Sequence, residues 1–556
     1  MRSESIAGVV PLGGDLSSAV ADILSRLRVR HAFGVSGGGI GRVWRALLDH
    51  PQIQTLHFRH EAGAAFAAVE ASVERDGPVA VFCTTGPGIT NTLTGLAAAR
   101  AEGAKVILIS PRTSAGQRGR GAVQETPMPS ADFFTPGWLF DEVFLLESAD
   151  ELDSVAARLQ HGFRRTGAYV AHLSLPVSLQ NTPVRQLPQP PARYRLTVPA
   201  PDPSAVDEVV DLLATRRAVL WVGHGARHAV RQIRALVDLT GAPVLATPRG
   251  KGIVEEDHPQ FAMVTGLGGH PENLPALDAY APEFALVLGT RLGEPSSGWD
   301  ERLVPPGGLV HVDVDPAVPG TVFAGSVLAI QAEIGAFLDQ VIARAEAIPH
   351  RGFTCPRPHP SHLGLAGARP VAPQALMSAI QRLAADRDVP ILVEPGSAMA
   401  WAAHLLMMRR PGQLRIVGSF GSMGHMACGV IGTALAARRP ALCLTGDGSM
   451  LMNNEIGTAV EYGIPAVWVV LNNARYQMCE RGMGFGPDET HARFTRCDFV
   501  QVARGMGADA VAVRHEADLE PALRQALSAG GPFLVDVECD PEATPPFESR
   551  LKTLVR

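Results

Sequence analysis

The segment ALCLTGDGSMLMNNEIGTAVEYGIPAVWVVLNN (residues 441–473) decides the fold that we expect for this chain. An apolar run leads into the Gly-Asp-Gly-Ser turn of residues 446–449, helical spacing follows as far as Gly463, and a second apolar run ends in Asn-Asn. Twenty-six residues separate Asp447 from Asn473, which suits a strand, a helix and a neighbouring parallel strand. Both oxygen-bearing side chains are therefore expected at one edge of a sheet, where they can share a cation.

The ligand types at this edge indicate which cation and which partner group to expect. Few protein oxygens around a divalent cation suit Mg²⁺, which completes its coordination with water and with phosphate oxygens of a bound molecule. The helix predicted to begin near Ser449 directs backbone N–H groups to the same place, which favours a diphosphate. Gly446 and Gly448 allow the backbone to approach such a group closely.

Two proline-rich stretches, residues 182–203 and 348–370, read as linkers and divide the chain into three parts. Each part alternates short aliphatic runs, such as VAVFCTT, AVLWVG and PILVEP, with Ala- and Leu-rich helical patterns. Continuous apolar runs are typical of parallel strands that are buried on both faces. We therefore predict an α/β protein of three doubly wound parallel-sheet domains, with the boundaries 1–182, 200–347 and 371–556.

The 441–473 segment resembles the thiamine-diphosphate enzyme superfamily, in which GDG is followed some thirty residues later by NN. The resemblance implies that Asp447, Asn473 and the backbone carbonyl of Arg475 hold Mg²⁺. It also implies that Gly446, Gly448, Ser449, Asn473 and Met478 contact thiamine diphosphate. The first domain would then be pyrimidine-binding and the third diphosphate-binding.

Two further stretches of the third part extend the resemblance. SFGSMGHMACGV (419–430) is similar to an acetohydroxyacid synthase turn whose methionine lies under the cofactor, which implies that role for Met423 and a contact for Gly421. VEPGSAMAW (393–401) resembles another loop that contacts the diphosphate, which makes Gly396 and Ser397 candidates.

The first part supplies the candidate acid. Thiamine chemistry needs a carboxyl group that drives the aminopyrimidine into its imino form, and Glu61 in HFRHEAGAAF resembles the family's catalytic glutamate. FGVSGGGI, TTGPGITN and GRGAVQE (119–125) are similar to further family segments, and the last implies a polar active-site role for Gln124. Arg118 and Arg120 are candidates for holding an acceptor carboxylate, with an exposed basic loop as an equal alternative.

The middle part resembles the central domain of the same family, which binds FAD or an adenine nucleotide in some members and nothing in others. Arg291 and Asp313 are placed to contact FAD. A bound nucleotide and an empty structural domain both remain open, because glycine turns of this kind are weak evidence.

Composition excludes several classes of partner and indicates a location. A formal net charge of −6 with scattered Lys and Arg gives no sign of a nucleic-acid interface. Seven cysteines without a CxxC pair fit a reducing cytoplasm, and no apolar run reaches membrane-spanning length. The N-terminus has no cleavable-leader pattern, so we expect a soluble cytoplasmic protein.

The resemblance predicts an acetolactate-synthase-like carboligase that decarboxylates a pyruvate-like 2-oxo acid and transfers the acyl carbanion to a second carbonyl. The alternatives are a non-oxidative 2-oxo-acid decarboxylase, a 2-hydroxyacyl-CoA lyase and, from another class, a non-catalytic cofactor-binding regulatory partner. Gly482 stands where acetohydroxyacid synthases have a tryptophan that shapes the acceptor pocket. The smaller residue is expected to leave room for an acceptor larger than 2-oxobutyrate. Family members share active sites between subunits, so a homodimer or homotetramer is implied.

Overall fold

The chain builds three six-stranded sheets, and within each sheet every pair of neighbouring strands is parallel. The structure is a computed structural model that describes residues 14–125, 135–184, 200–355, 370–482 and 490–547. The predicted α/β class with three doubly wound domains is confirmed. Most of both proline-rich linkers lies outside the described residues, so the three domain boundaries stay a prediction.

The first domain orders its sheet β3-β2-β4-β5-β7-β6, with an antiparallel pair β1-β8 beside it. Its strands are β1 (Gly14–Asp15), β2 (His31–Gly34), β3 (Gln54–His57), β4 (Val79–Phe82), β5 (Lys105–Arg112), β6 (Glu142–Leu145), β7 (Tyr169–Pro176) and β8 (Pro183–Val184). Its helices are α1 (Leu16–Arg26), α2 (Gly41–Asp49), α3 (Glu61–Arg75), α4 (Pro87–Glu102) and α5 (Leu152–Arg164).

The central domain orders its sheet β11-β10-β9-β12-β13-β14, so the strand order reverses between β9 and β12. Its strands are β9 (Ala218–Val222), β10 (Val244–Ala246), β11 (Phe261–Val264), β12 (Phe284–Leu288), β13 (Leu309–Asp313) and β14 (Val327–Gln331). Its helices are α6 (Pro203–Thr215), α7 (Val230–Thr240), α8 (Leu274–Tyr280), α9 (Glu294–Ser297) and α10 (Ile334–Ile342).

The third domain has the same type of sheet, in the order β16-β15-β17-β18-β20-β19. Its strands are β15 (Ile391–Val393), β16 (Leu414–Ile416), β17 (Ala441–Gly446), β18 (Ala466–Asn472), β19 (Asp509–Val513) and β20 (Phe533–Glu538). Its helices are α11 (Pro373–Leu383), α12 (Ser397–Leu405), α13 (His425–Ala437), α14 (Asp447–Met452), α15 (Ile456–Tyr462), α16 (Gln477–Gly482), α17 (Phe499–Gly505) and α18 (Leu519–Ser528).

The strands are apolar because helices cover both faces of each sheet. Every residue of β4, β9 and β18 is buried, and Trp221 and Trp468 are among the largest side chains with no exposed surface. Parallel strands buried in this way place their carboxyl ends together, where loops are free to carry polar groups. Among the described residues, no helix has both the length and the apolar character needed to cross a membrane.

The helix predicted across residues 449–463 is interrupted in the structure. It forms α14 and α15, with Asn453, Asn454 and Glu455 between them. The buried Glu455 carboxylate accepts hydrogen bonds from the N–H groups of Arg59 and His60 at 3.1 and 3.0 Å. This long-range contact holds Glu455 at the point where the helix is interrupted. The predicted helix end at Gly463 is confirmed, because Gly463 has a left-handed φ of 60°.

Contacts divide the described chain into two units. The first unit holds residues up to 184 with 428–439 and 453–464, and the second holds the remaining described residues from 200 on. Within the second unit, a buried ion pair joins the central and third domains. Lys251 Nζ lies 2.6 Å from Glu256 Oε2 and 3.0 Å from the Ala403 carbonyl, and the N–H of Met408 donates to Glu256 Oε1.

This pair generates a prediction for stability. Lys251→Met should leave the Glu256 carboxylate buried without its cation, which costs about 3–5 kcal/mol. The double variant Lys251→Met/Glu256→Gln should recover most of that loss, because an amide still accepts from Met408 without carrying a charge. Denaturant unfolding followed by tryptophan fluorescence measures both, and equal stability of the single variant and the parent would contradict the argument.

Candidate active site

A cavity of about 120 Å³ opens in the third domain where β17 and β18 end. Because these strands are neighbours and parallel, the residues that follow them reach the same edge. The sequence-predicted residues that line the cavity are Gly396, Ser397, Met423, Gly446, Asp447, Gly448, Ser449, Asn473, Arg475 and Met478. Gly421 is exposed, has a φ of 61° and is not among the lining residues.

Asp447 is the charged centre of this cavity. Its side chain is buried, and its two oxygens accept hydrogen bonds from the N–H groups of Gly448 at 2.8 Å and Ala474 at 2.6 Å. Burial raises the pKa of the Asp447 carboxyl to about 6, although these backbone hydrogen bonds act to lower it. Asp447 forms no salt bridge with any described residue, so a bound cation would balance the charge of its carboxylate.

The other oxygens of the site fit Mg²⁺. Asn473 Nδ2 donates to Gln477 Oε1 at 3.4 Å, while its Oδ1 accepts no hydrogen bond from any described residue. The Arg475 guanidinium is a cation, paired with Glu480 and Glu542, so only the backbone carbonyl of this residue could serve as a metal ligand. No cluster of three or more His, Cys, Asp or Glu side chains occurs in the described chain.

Close packing determines which residues can stand beside Asp447. A Cβ atom on Gly448 would lie 2.5 Å from the Tyr476 ring and 3.4 Å from the Met423 methyl carbon. Gly448 therefore has to be glycine if the tyrosine and the methionine are to keep these positions. Met423 is thus placed against the GDG turn, at the edge of the same cavity.

Glu394 organises the turn that carries Met423, and the sequence analysis missed it. Its side chain has no exposed surface, and its oxygens accept from the N–H groups of Gly424 at 3.0 Å and Ala427 at 2.8 Å. Burial raises the pKa of the Glu394 carboxyl against the opposing effect of these hydrogen bonds. The Glu-Pro-Gly sequence directly after an apolar strand is the signal that could have revealed it.

Gln477 is a second residue that sequence reasoning missed. Its Oε1 accepts from Ser397 Oγ at 2.9 Å, and its Nε2 donates to the carbonyls of Pro541 and Ala543. One buried amide thus ties the Ser397 loop to the start of α16 and to the segment after β20. The rim of the cavity is therefore held by polar contacts from three separate parts of the chain.

In the first unit, Glu61 is the first residue of α3, as the sequence predicts for the catalytic candidate. Its side chain is buried, and Asn91 Nδ2 from α4 donates to its Oε2 at 3.0 Å. No described residue hydrogen-bonds to Oε1. His60 caps the helix by accepting from the N–H of Ala62, and the Glu455 carboxylate holds the preceding backbone.

Gln124 lies at the same carboxyl edge of the first sheet. Thr84, just after β4, donates from its Oγ1 to Gln124 Oε1 at 2.9 Å. Gly86 has a φ of 60°, and a Cβ there would lie 2.6 Å from the Gln124 carbonyl oxygen, so glycine permits this approach. Arg118 Nη2 lies 3.2 Å from the exposed Glu147 carboxylate, and its Nε donates to the Thr113 carbonyl.

The loop after β2 contains a contact that the sequence did not reveal. The N–H and the Oγ of Ser36 lie 3.1 and 2.9 Å from His57 Nε2. Burial, followed by the charge of Arg59, lowers the pKa of His57, which favours the neutral ring. Since Nε2 accepts from the Ser36 N–H, the hydroxyl also directs its proton to His57. Around Gly38 the described residues leave open space.

The central-domain candidates Arg291 and Asp313 stand at neighbouring strand ends, after β12 and at the end of β13. Burial raises the pKa of Asp313, and the charge of Arg291 opposes that shift. A separate cavity of about 680 Å³ has His270 in its wall. That histidine is buried and hydrogen-bonded to the His404 carbonyl, which indicates a structural role.

The fold and this set of donors define a class: an α/β protein whose third sheet fits a metal-bound diphosphate at its carboxyl edge. Comparisons agree over most of the chain. Residues 15–132 match the description "Thiamine pyrophosphate enzyme, N-terminal TPP binding domain", residues 206–341 the central domain and residues 364–537 the C-terminal TPP binding domain of that family. The chain belongs to the thiamine pyrophosphate enzyme family.

Relatives narrow the type within the family. The chain is 27% identical to "Acetolactate synthase isozyme 1 large subunit" of Escherichia coli (strain K12), covering 94% of this chain and 93% of the relative. It is 26% identical to "Acetolactate synthase 2, chloroplastic" of Zea mays, covering 94% and 85%. "Acetolactate synthase" of Mycobacterium bovis is also 26% identical, covering 94% and 87%. The protein is thus a thiamine-diphosphate enzyme of acetolactate-synthase-like type.

Glu394 generates a prediction, because it positions the turn and touches no reacting group. Glu394→Gln should turn one acceptor into an amide N–H that faces a backbone N–H, at a cost of about 1–3 kcal/mol. Calorimetry should show weaker cofactor binding, and the thermal midpoint should fall. Glu346→Gln changes an exposed glutamate in the same way and should alter neither value. If Glu394→Gln and Glu346→Gln have the same cofactor affinity and the same thermal midpoint, Glu394 does not position the turn.

Proposed function

We propose that this protein decarboxylates a pyruvate-like 2-oxo acid and transfers the resulting acyl unit to a second carbonyl compound. The observation that carries the proposal is the Asp447–Asn473 pair beside Met423 at the edge of the third sheet. The acetolactate synthases among its relatives support the same reaction class. The rivals are a simple 2-oxo-acid decarboxylase, a 2-hydroxyacyl-CoA lyase and a cofactor-binding partner without turnover.

The third domain would hold thiamine diphosphate through Mg²⁺. Asp447 and Asn473 would supply side-chain oxygens and Arg475 its carbonyl, while Gly446, Gly448 and Ser449, which line the same cavity, would contact the cofactor. When bound, thiamine diphosphate supplies the carbon nucleophile and the electron sink that decarboxylation of a 2-oxo acid requires. The residues of the protein would orient the cofactor, bind the substrate and position the proton.

Glu61 would hold a proton against the pyrimidine ring nitrogen of the cofactor. Asn91 occupies its Oε2, so Oε1 is the oxygen that can face the ring. Burial excludes competing water from the carboxyl group, and Asn91 fixes its orientation. Asn91 is thus a positioning residue, and Gln124, held by Thr84, would bind the polar part of a substrate.

The Ser36 loop favours ligation over release of a free aldehyde. Release requires a proton donor, and the three glycines of residues 37–39 carry no side chain that could act as one; the side chain on this loop is that of Ser36, whose Oγ lies 2.9 Å from His57 Nε2. Without protonation, capture by an acceptor carbonyl competes better. Arg118 and Arg120, in the loop after β5, would be the cations that hold an acceptor carboxylate.

A homodimer or homotetramer in the cytoplasm is the expected form, and sedimentation of the holoenzyme tests the assembly. None of the seven cysteines forms a disulfide, which agrees with a reducing compartment. Arg291 and Asp313 keep both alternatives for the central domain open, and the visible absorbance of the purified protein decides whether a flavin is bound.

Removal of the metal ligand gives a prediction for cofactor binding. Asp447→Ala should weaken thiamine diphosphate binding in calorimetry with Mg²⁺ by at least the roughly 100-fold that losing an outer-shell partner alone can cost. Glu61→Gln is the matched contrast: cofactor binding should persist, while C2 proton exchange slows by roughly 10²–10⁴. Parental affinity in Asp447→Ala would show that the metal lies elsewhere.

The reaction itself is tested by product analysis. The holoenzyme is incubated with pyruvate and a panel of 2-oxo-acid and aldehyde acceptors, and mass spectrometry compares ligated product with free acetaldehyde. Ligated product should dominate. Gly38→Asp places a carboxyl group in open space beside the loop and should raise the share of acetaldehyde. Mostly free aldehyde from the parent would favour the decarboxylase.

The same assay addresses the size of the acceptor. Gly482 ends α16 and is not among the residues that line the third-domain cavity. Gly482→Trp should narrow the range of acceptors if this position shapes the acceptor pocket. If Gly482→Trp uses the same acceptors as the parent, Gly482 does not line the acceptor pocket.

A further inference from the structure

A basic cavity lies at the amino end of the first sheet, away from the edge that carries Glu61. His31, Val79 and Lys105 line it, and they are the first residues of β2, β4 and β5. Glu61 and Gln124 instead follow the carboxyl ends of that sheet. A four-residue strand such as β4 spans about 13 Å, so about one strand length separates the cavity from the edge that carries Glu61.

The charge of this cavity is strongly one-sided. Its cations are Arg26, Arg28, Arg30, Arg75, Lys105 and Arg164, and Asp76 is the only acidic residue in its lining. Within the described residues, no salt bridge is formed by Arg26, Arg28, Arg30 or Arg75. Arg26 and Arg75 end α1 and α3, where the helix dipole favours a cation, but that reason does not extend to Arg28 or Lys105.

The floor of the cavity is uncharged. His31 is buried, and burial, followed by the charges of Arg75 and Arg438, lowers its pKa to about 4. The ring is therefore neutral at physiological pH and can form hydrogen bonds without adding charge. Leu27 and Phe163, both buried, add an apolar surface beside it.

Gln160 provides an independent sign of a ligand. The side chain is 8% exposed and lines the cavity, and its Oε1 has no hydrogen-bond partner among the described residues. An unmet buried acceptor costs about 1–3 kcal/mol, so a donor that a ligand brings would relieve it. An exposed basic surface made only for solubility would not need a buried amide.

We propose that the basic cavity binds a nucleoside polyphosphate. The phosphates would lie among the arginines, and the planar base would contact Phe163 and hydrogen-bond to Gln160 and His31. The cavity volume of about 570 Å³ is within the usual range of small-molecule sites. Because the site is remote from Glu61, its occupant is not the substrate.

The test uses holoenzyme saturated with Mg²⁺ and thiamine diphosphate, so that the diphosphate site is filled. Calorimetry with ATP should show binding that weakens with added salt. Arg26→Gln/Arg75→Gln should reduce the affinity at least tenfold. Arg231→Gln/Arg387→Gln removes two exposed charges from the other unit and should leave it unchanged. Equal affinity in both double variants, or no binding by the parent, overturns the proposal.

A second arm separates a nucleotide from inorganic phosphate. Tripolyphosphate should bind more weakly than ATP, and Gln160→Leu should weaken ATP while leaving tripolyphosphate unaffected. That variant removes an unpaired acceptor, so it should not destabilise the fold, and circular dichroism verifies this. If tripolyphosphate binds as tightly as ATP and Gln160→Leu changes neither, the nucleoside part of the proposal is wrong.

Discussion

The third domain depends on keeping one carboxylate, that of Asp447, in a buried position without a salt bridge from any described residue. Such a charge is costly unless backbone N–H groups or a metal compensate it. Gly448 and Ala474 supply the N–H groups, and the parallel pairing of β17 with β18 brings Asn473 to the same edge. Glycine at 448 lets the Tyr476 ring lie against the same turn.

Buried glutamates extend the same principle to the loops. Glu394 and Glu455 each accept two backbone N–H groups: Glu394 holds the backbone just after Met423, and Glu455 holds the backbone just before Glu61. Hydrogen bonds to charged groups are worth about 1.5–3 kcal/mol each, so one carboxylate can fix a loop that has no regular structure. The loops at the strand ends are thereby more rigid than their glycine content suggests.

Local spacing explains why so much of the site could be predicted from the sequence. The strands are continuous apolar runs, and Asp447 and Asn473 follow two of them, so their meeting at one edge needs only the rule for parallel sheets. The roles of three residues could not be predicted, because their contacts join residues 30, 80 and 396 positions apart; these residues are Glu394, Gln477 and Glu455. No local pattern records such partners. The break between α14 and α15 has the same origin, because helical spacing was intact and a distant backbone decided the outcome.

One helix connects the two functional edges of the first unit. Helix α3 begins at Glu61 and ends at Arg75, and its fifteen residues span about 22 Å. A ligand among the arginines can affect Glu61 only if α3 has two positions that the ligand distinguishes. Helices α3 and α4 pack closely, since a Cβ on Gly95 of α4 would lie 2.3 Å from the Cβ of Ala65. Asn91 of α4 donates to the Glu61 carboxylate, so a shift of α3 against α4 would alter the hydrogen bond that orients that carboxyl group.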